Sequence, residues 1–510
     1  MSSALRLPSV FGDGMVLQRD MPVLVWGWAN PGTKVAVAFA GQERNTVADE
    51  LGEWSIKLAP LAACKEPREL TVSGDGELVF KNVLVGEVWL CSGQSNMAAV
   101  VNECLNLQAE RAGADLPTIR HFTANRLYSV LPLTDGAGPL WDVCSPDTVP
   151  WFSGVGFFFA RELAARLDVP VGLINSSYGA TRIEPWINNE GFHLVPELAD
   201  LARQADDLEE SGARKYAEHL QRLKAWLPKV ERALVDRRPL PEQPLPPGAP
   251  GYAEERQEPT RLYNAMIHPL APFAIRGALW YQGESNNPIY GLDDNGLYYH
   301  KMRALIGGWR KLWGQGDFPF YYVQLANFNR SSLDNPEGGE EWAALREAQL
   351  RALTIPNTGM AVSIDIGDAD DIHPKNKQDV AHRLALWALA KDFGETVAFS
   401  GPLYQGHTVE DGRIRVAFAH ASSGLMAGEK RGLEPVIELA DGKLGWFSIA
   451  GEDRNWFWAD VAIDGQTLLV SSPRVRNPVA VRYAYVMNPE GLHLYNRAGL
   501  PASPFRSDAW

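Results

Sequence analysis

The sequence predicts an α/β protein, with a mostly parallel sheet between helical layers and a β-rich region at each end. Three observations carry this. From residue 86 onward, apolar runs alternate with helical stretches in the order strand, loop, helix. That order builds a parallel sheet covered on both faces. The two ends, by contrast, hold short alternating runs rich in Val and aromatics. Finally, 510 residues exceed what one hydrophobic core usually serves.

In the first region, residues 1–85, "PVLVWGWA", "KVAVAFAG" and "EWSIKLA" alternate apolar and polar positions. Asn30-Pro31-Gly32 and Gly74-Asp75-Gly76 punctuate them as turns. A small β-sandwich is expected here. In the second region, residues 86–396, "VGEVWLCSG" reads as a strand followed by a helix. "GVGFFFARELAARL" reads as an amphipathic helix, and "VPVGLINSSYGAT" and "IRGALWYQGESN" as strands running into polar loops. "FPFYYVQLANF", "EEWAALREAQLRALT" and "TGMAVSIDIGD" continue as strand, helix, strand. An excursion interrupts this at residues 190–260. Glu197 to Leu234 is charged with a period near 3.6, and "RRPLPEQPLPPGAPG" is too Pro-rich for a helix or central strand. A spacer is expected there. In residues 397–510, "GRIRVAFAHA", "WFSIAG", "WFWADVAIDG", "TLLVSS" and "AVRYAYV" restore β character. This is either an independent sandwich or one packed against the first region.

Composition narrows the function. The apolar fraction of 45% and charged fraction of 22% are those of a globular protein. A net charge of -14 excludes the basic surface that nucleic acid or an anionic membrane needs. No apolar run approaches membrane-span length. The start, "MSSALRLPSVFGDG", lacks a charged segment followed by an apolar one. A cytoplasmic protein is expected, or a periplasmic or secreted one whose signal peptide has been removed. The cysteines, Cys64, Cys91, Cys104 and Cys144, form no disulfide framework and no CxxC pair. Cys91 reads as a buried thiol, and one bond, Cys104 to Cys144, is left open. No metal or cofactor is implied.

In open α/β sheets, ligands bind beyond the carboxyl ends of the strands, and there this chain places its polar clusters. "EVWLCSGQSNM" leaves a strand through Ser92-Gly93-Gln94-Ser95-Asn96. The choice is a plain turn or a nucleophile, Ser95, beside backbone N–H groups that receive negative charge. A base would come from "DIGDADDIHPKNKQD". There His373 follows a strand and Pro374 opens the next helix. Asp370 precedes His373 by three residues, so one short turn lets its carboxylate hold Nδ1 and leave Nε2 as base. The alternatives are a cation-binding acidic loop or acids favouring a helix start. "NSSYGATRIEPW" offers Gly179, and "WYQGESNN" offers the amides of Gln282 and Asn286 as oxyanion donors. Arg182, Trp186 and Tyr281 flank these loops as substrate-binding candidates.

The blocks "SGQSNM", "GATRIEPW", "WYQGESN" and "DIHPKNK", in that order, resemble the SGNH-hydrolase carbohydrate esterases of the sialate O-acetylesterase group. The opening "FGDGMVLQRDMPVLVWGWANPG" and the ending "LYNRAGLPASPFRSDAW" resemble that group too. The resemblance implies a flavodoxin-like three-layer catalytic domain with flanking β-sandwich or jelly-roll regions. It implies Ser95 as nucleophile, His373 as base and acid, and Asp370 as its orienter. Ser95 and Gly179 become oxyanion donors, with a third from the "QGESN" loop. General SGNH hydrolases carry Gly-Asp-Ser-Leu and Gly-x-Asn-Asp where this chain has Gly93-Gln94-Ser95-Asn96 and Gly283-Glu284-Ser285-Asn286. That departure leaves the third donor open and admits Glu284 as an alternative carboxylate. The expected activity is removal of acetyl groups from an acetylated carbohydrate, sialic acid or a hemicellulose, without a metal. The rivals are a non-catalytic carbohydrate-binding protein and an acyltransferase using the same serine.

Overall fold

The computed structural model describes residues 5–136, 138, 140–247, 255–287, 295–330, 333–339, 342–491 and 493–510. Its centre is a parallel sheet of β1 (Glu77–Gly93), β2 (Ile119–Thr123), β3 (Val171–Ser177), β4 (Gly277–Tyr281), β5 (Phe320–Gln324) and β6 (Thr358–Val362). The order is 6-5-4-1-3-2, paired parallel throughout. A short antiparallel strand, Asp142–Val143, borders β2. Every residue of β3, β4 and β5 is buried, as expected when helices cover both faces and the apolar runs are continuous.

Aromatic contacts define the two layers. On one face Trp89 of β1 meets Phe159 edge-on at 4.9 Å and stacks on Tyr321 of β5, which in turn meets Trp387. Phe159 and Trp387 belong to the helices Gly154–Leu167 and Lys377–Lys391. On the other face Trp280 of β4 and Phe320 of β5 flank Trp309, from the helix Asn295–Trp313. The many tryptophans are thus mainly core filler in this domain, binding the layers by burial and edge contacts.

The N-terminal strands form as their alternation predicts. Val23–Trp28 pairs with Glu53–Leu58, and Lys34–Phe39 with Gln42–Val47 and Cys64–Ser73. Burial alternates along them. The boundary expected at residue 85 falls inside β1. The first half of β1 pairs with Cys64–Ser73, and from Glu87 its second half pairs with β3. One hydrophobic core accordingly runs from Val25 and Leu70 through to Leu279 and Leu384.

The charged excursion is a single helix, Ala199–Val235, which carries Pro228 inside it. Of the Pro-rich stretch after it, residues 248–251 lie outside the described residues.

The C-terminal region has its own core around Val416, Ile449, Val481 and Leu494. It packs on the central domain. Arg346, fully buried, donates to the carbonyls of Leu325 and Ala326 and, across the boundary, to those of Val486 and Met487. Tyr495 donates to Asp365, which is also paired with Arg383. Cys104 and Cys144 are free thiols, as are Cys64 and Cys91. The Cys104–Cys144 bond left open by the sequence is therefore not made. Cys91 is buried as expected, and burial pushes its thiol up to about 12.

Arg346→Leu is expected to cost at least about 3 kcal/mol, because four buried carbonyls lose a charged donor. Thermal unfolding should shift down, and limited proteolysis should cut between the central and C-terminal regions before either is degraded.

Candidate active site

β1 ends at Gly93, where the backbone has no room. A Cβ there would lie 2.1 Å from the Tyr281 carbonyl, and φ is +135°. A glycine satisfies both constraints. The Gln94 N–H donates to the Tyr281 carbonyl and the Tyr178 N–H to the Gly93 carbonyl. β1 is thereby stitched to the exits of β3 and β4. Ser95 then opens a single helical turn, Ser95–Ala98, over the buried Met97.

His373 comes from the loop after β6. Pro374 does not open the next helix. That helix starts at Lys377, with Asn376 capping it by accepting the Asp379 N–H at 3.0 Å. His373 Nε2 lies 2.9 Å from Ser95 Oγ. The imidazole is 48% exposed, so its outer edge faces the solvent side of a cleft of about 720 Å³. Ser95, Gly179, Asp371, His373, Arg126 and Lys375 line that cleft. A Cβ on Gly179 would touch Ser95 Cβ at 3.5 Å. The Gly179 main chain therefore runs beside the Ser95 side chain. The geometry provides a hydroxyl, a base on it and the Gly179 main chain beside them, which together suit acyl transfer. Among the described residues, no cluster of three His, Cys, Asp or Glu side chains is arranged to hold a metal ion.

Comparison with known proteins identifies the family. The family described as "Carbohydrate esterase, sialic acid-specific acetylesterase" matches residues 85–234 and 250–389. The sialate O-acetylesterase of Mus musculus is 30% identical over 548 residues, covering 98% of this chain and 94% of that protein. The sialate O-acetylesterase of Homo sapiens is 30% identical over 440 residues, covering 78% and 73%. A solved carbohydrate acetylesterase from Xanthomonas citri superposes with a TM-score of 0.80 at 36% identity, covering 99% of this chain and 100% of that one. The chain belongs to this carbohydrate esterase family. The family is one of hydrolases acting as acetylesterases, and the SGNH-type α/β fold expected from the sequence is the one observed.

Several residues of this carbohydrate esterase stand elsewhere than the sequence suggests. Asp371, not Asp370, faces His373. Its Oδ1 lies 3.6 Å from Nδ1 and accepts the His373 backbone N–H at 2.8 Å. This is an Asx turn, which fixes the carboxylate two residues before the imidazole. Asp370 is exposed, and its own N–H donates to Asp368. Glu284, the alternative, is buried and accepts from Asn96 Nδ2 at 2.5 Å.

Gln282 and Asn286 are corrected as oxyanion donors. Gln282 Nε2 donates to Gln94 Oε1, the Thr181 carbonyl and Asn286 Oδ1. Asn286 Nδ2 donates to Glu184, and Asn286 Oδ1 accepts the Ile183 N–H. Both amides are wholly buried and brace the loops. Trp186 and Tyr281 are also buried, at 0% and 1% exposure, and present no ring to a sugar. Arg182 is turned to the Gln257 carbonyl at 2.9 Å.

Sequence reasoning missed Asn96, Arg126 and Lys377. Both Asn96 and Lys377 stood inside quoted blocks, Asn96 within a cluster that reads as a turn and Lys377 with no role of its own. Lys377 is 2% exposed. Burial pushes its ammonium down to about 8, against the pull of Cys104, Glu284, Asp371 and Glu103. Burial also raises the Glu284 carboxyl, against Asn96 and Lys377.

The Lys377 shift has a definite sign. Its folded value lies below the ordinary 10.5, so between pH 8 and 10.5 the unfolded chain holds the extra proton and this group's contribution to stability rises with pH. Below that window the buried charge costs stability. Urea unfolding from pH 8 to 10 should show wild type gaining on Lys377→Met. Gly93→Ala should lose both folding yield and activity.

Proposed function

We propose that this protein removes O-acetyl groups from a carbohydrate through a Ser95 acyl-enzyme. The observation that carries the reading is the 2.9 Å approach of His373 Nε2 to Ser95 Oγ at the cleft. His373 Nε2 takes the Ser95 proton as Oγ attacks the acetyl carbonyl. The tetrahedral oxyanion rests on the backbone N–H groups of Ser95 and Gly179. The imidazolium then protonates the departing sugar oxygen. Water, deprotonated by the same nitrogen, releases acetate. Asp371 faces Nδ1 and steadies the imidazolium during both steps.

The cleft's charges favour an acidic sugar over a neutral hemicellulose. Arg126 and Lys375 are exposed at its lining, beside the carboxylates of Glu103 and Asp371, while Arg182 is engaged elsewhere. A sialic acid carboxylate suits that position, as the names of the curated relatives also suggest.

Ser95→Ala should lower kcat by about 10⁴ or more with little change in melting. Hydrolysis of p-nitrophenyl acetate without an added acceptor separates an esterase from a transferase or a binding protein. Activity retained above about a tenth of wild type would move the nucleophile elsewhere.

Asp371→Asn should lower kcat by up to about 10⁴ through loss of the productive tautomer, and Asp370→Asn by far less. The reverse order would return the orienting role to Asp370. Arg126→Ala should lower kcat/KM by about tenfold on an O-acetylated sialoside, a loss of about 1.4 kcal/mol, and by less on acetylated xylo-oligosaccharides. Equal losses on both would remove the argument for an acidic sugar.

A further inference from the structure

Beneath the Ser95–His373 pair lies a buried polar chain that takes no direct part in the chemistry proposed above. Lys377 Nζ donates to Asn96 Oδ1 at 2.6 Å and to the Pro374 carbonyl at 2.7 Å. Asn96 Nδ2 donates to Glu284 Oε1 at 2.5 Å and to the Ile372 carbonyl at 3.1 Å. Asn96, Glu284 and Lys377 are each no more than 2% exposed. Lys377 also lies over the Tyr281 ring at 5.5 Å.

The chain's placement is informative. Asn96 is the residue after Ser95. Ile372 and Pro374 are the residues on either side of His373. Each reactive side chain is thus flanked by a residue held in the same network. Glu284 ties both to the loop after β4. Three loops that arrive from different strands, β1, β4 and β6, are joined by three hydrogen bonds, and a fourth, from Lys377 to Pro374, ties the last loop to its own helix.

We propose that Lys377 is a positioning residue for the Ser95–His373 pair, acting through Asn96 and the carbonyls flanking His373, with Glu284 as its buried counter-charge. The proposal rests on the serine-esterase reading. A buried ammonium is a costly way to hold a fold together, since desolvation offsets most of its attraction to a partner. It is a good way to fix a geometry, since three directed N–H groups on one nitrogen reach both loops at once. A displacement of about 1 Å between nucleophile and base costs on the order of 10²-fold in rate. Cys104, Glu103 and Asp371 also face the ammonium, but none of them joins Ser95 to His373.

The test compares Lys377→Met, Asn96→Leu and the double variant, each checked for folding by its melting profile. Turnover of p-nitrophenyl acetate should fall about 10²-fold in each single variant with KM little changed. Inactivation of Ser95 by a fluorophosphonate should slow by the same factor. Residues acting through one network are non-additive, so the double variant should be no slower than the slower single one.

A reversed pair provides a second arm. In Asn96→Asp/Glu284→Gln the carboxylate accepts from Lys377 and from the new amide and loses only the bond to the Ile372 carbonyl, so turnover should recover in part, above that of Asn96→Leu. Should Lys377→Met not fold, the comparison of Asn96→Leu with the reversed pair decides alone. Folded variants with wild-type kcat, losses confined to KM, additive losses near 10⁴, or no recovery in the reversed pair would each overturn the positioning role. Ser95→Ala run alongside separates the two readings. If it is inactive while the Lys377 and Asn96 variants are not slowed, the esterase mechanism stands and the positioning role fails.

Discussion

Asn96 follows Ser95 directly, and its buried amide is used on both sides, accepting from Lys377 and donating to Glu284 and to the main chain at Ile372. The three loops joined by this network leave three different strands and share no local sequence. Nothing in the pairing of the sheet sets the distance between their tips. That distance comes from side chains below the surface, where water does not compete for the bonds. A sheet of this kind brings polar loops to one edge in any sequence that folds this way. The buried amide and its partners turn that neighbourhood into a fixed arrangement.

The fold was legible in the sequence because its signals were local. Continuous apolar runs gave β3, β4 and β5, and alternation gave Val23–Trp28 and Glu53–Leu58. The amphipathic run "GVGFFFARELAARL" became the helix Gly154–Leu167 without change of bounds. Joints were less legible. The strand β1 crosses from one region to the next because its burial changes from alternating to continuous along its length, and a reading by pattern splits it there. The docking of the C-terminal region on Arg346 was also hidden, since a buried arginine bonded to main-chain carbonyls leaves no motif.

The site was legible to different depths. Ser95 and His373 could be named because each sits where a strand meets a polar loop. Their neighbours were harder, because residue type alone does not say which way a side chain turns. Gln282 and Asn286 have the donors an oxyanion needs, but they are enclosed and satisfied by other groups. Asp370 and Asp371 differ by one position along a turn, and that step decides which carboxylate faces the imidazole. Lys377 is the reverse case. A lysine among "PKNK" reads as a solvated charge, yet of these four residues only Lys375 is exposed.

The continuous β1 strand also sets how short a folding piece of this chain can be. The match to the family description begins at residue 85, in the middle of a strand whose earlier residues pair with Cys64–Ser73 and whose later ones form the centre of the parallel sheet. A polypeptide trimmed to that matched segment would start with its central strand cut in half. It would also expose the apolar surface that Val25, Leu70 and their neighbours cover. The segment matched by the family description is therefore smaller than the smallest piece expected to stand alone. Any transplant of this esterase into another protein has to carry the N-terminal strands with it.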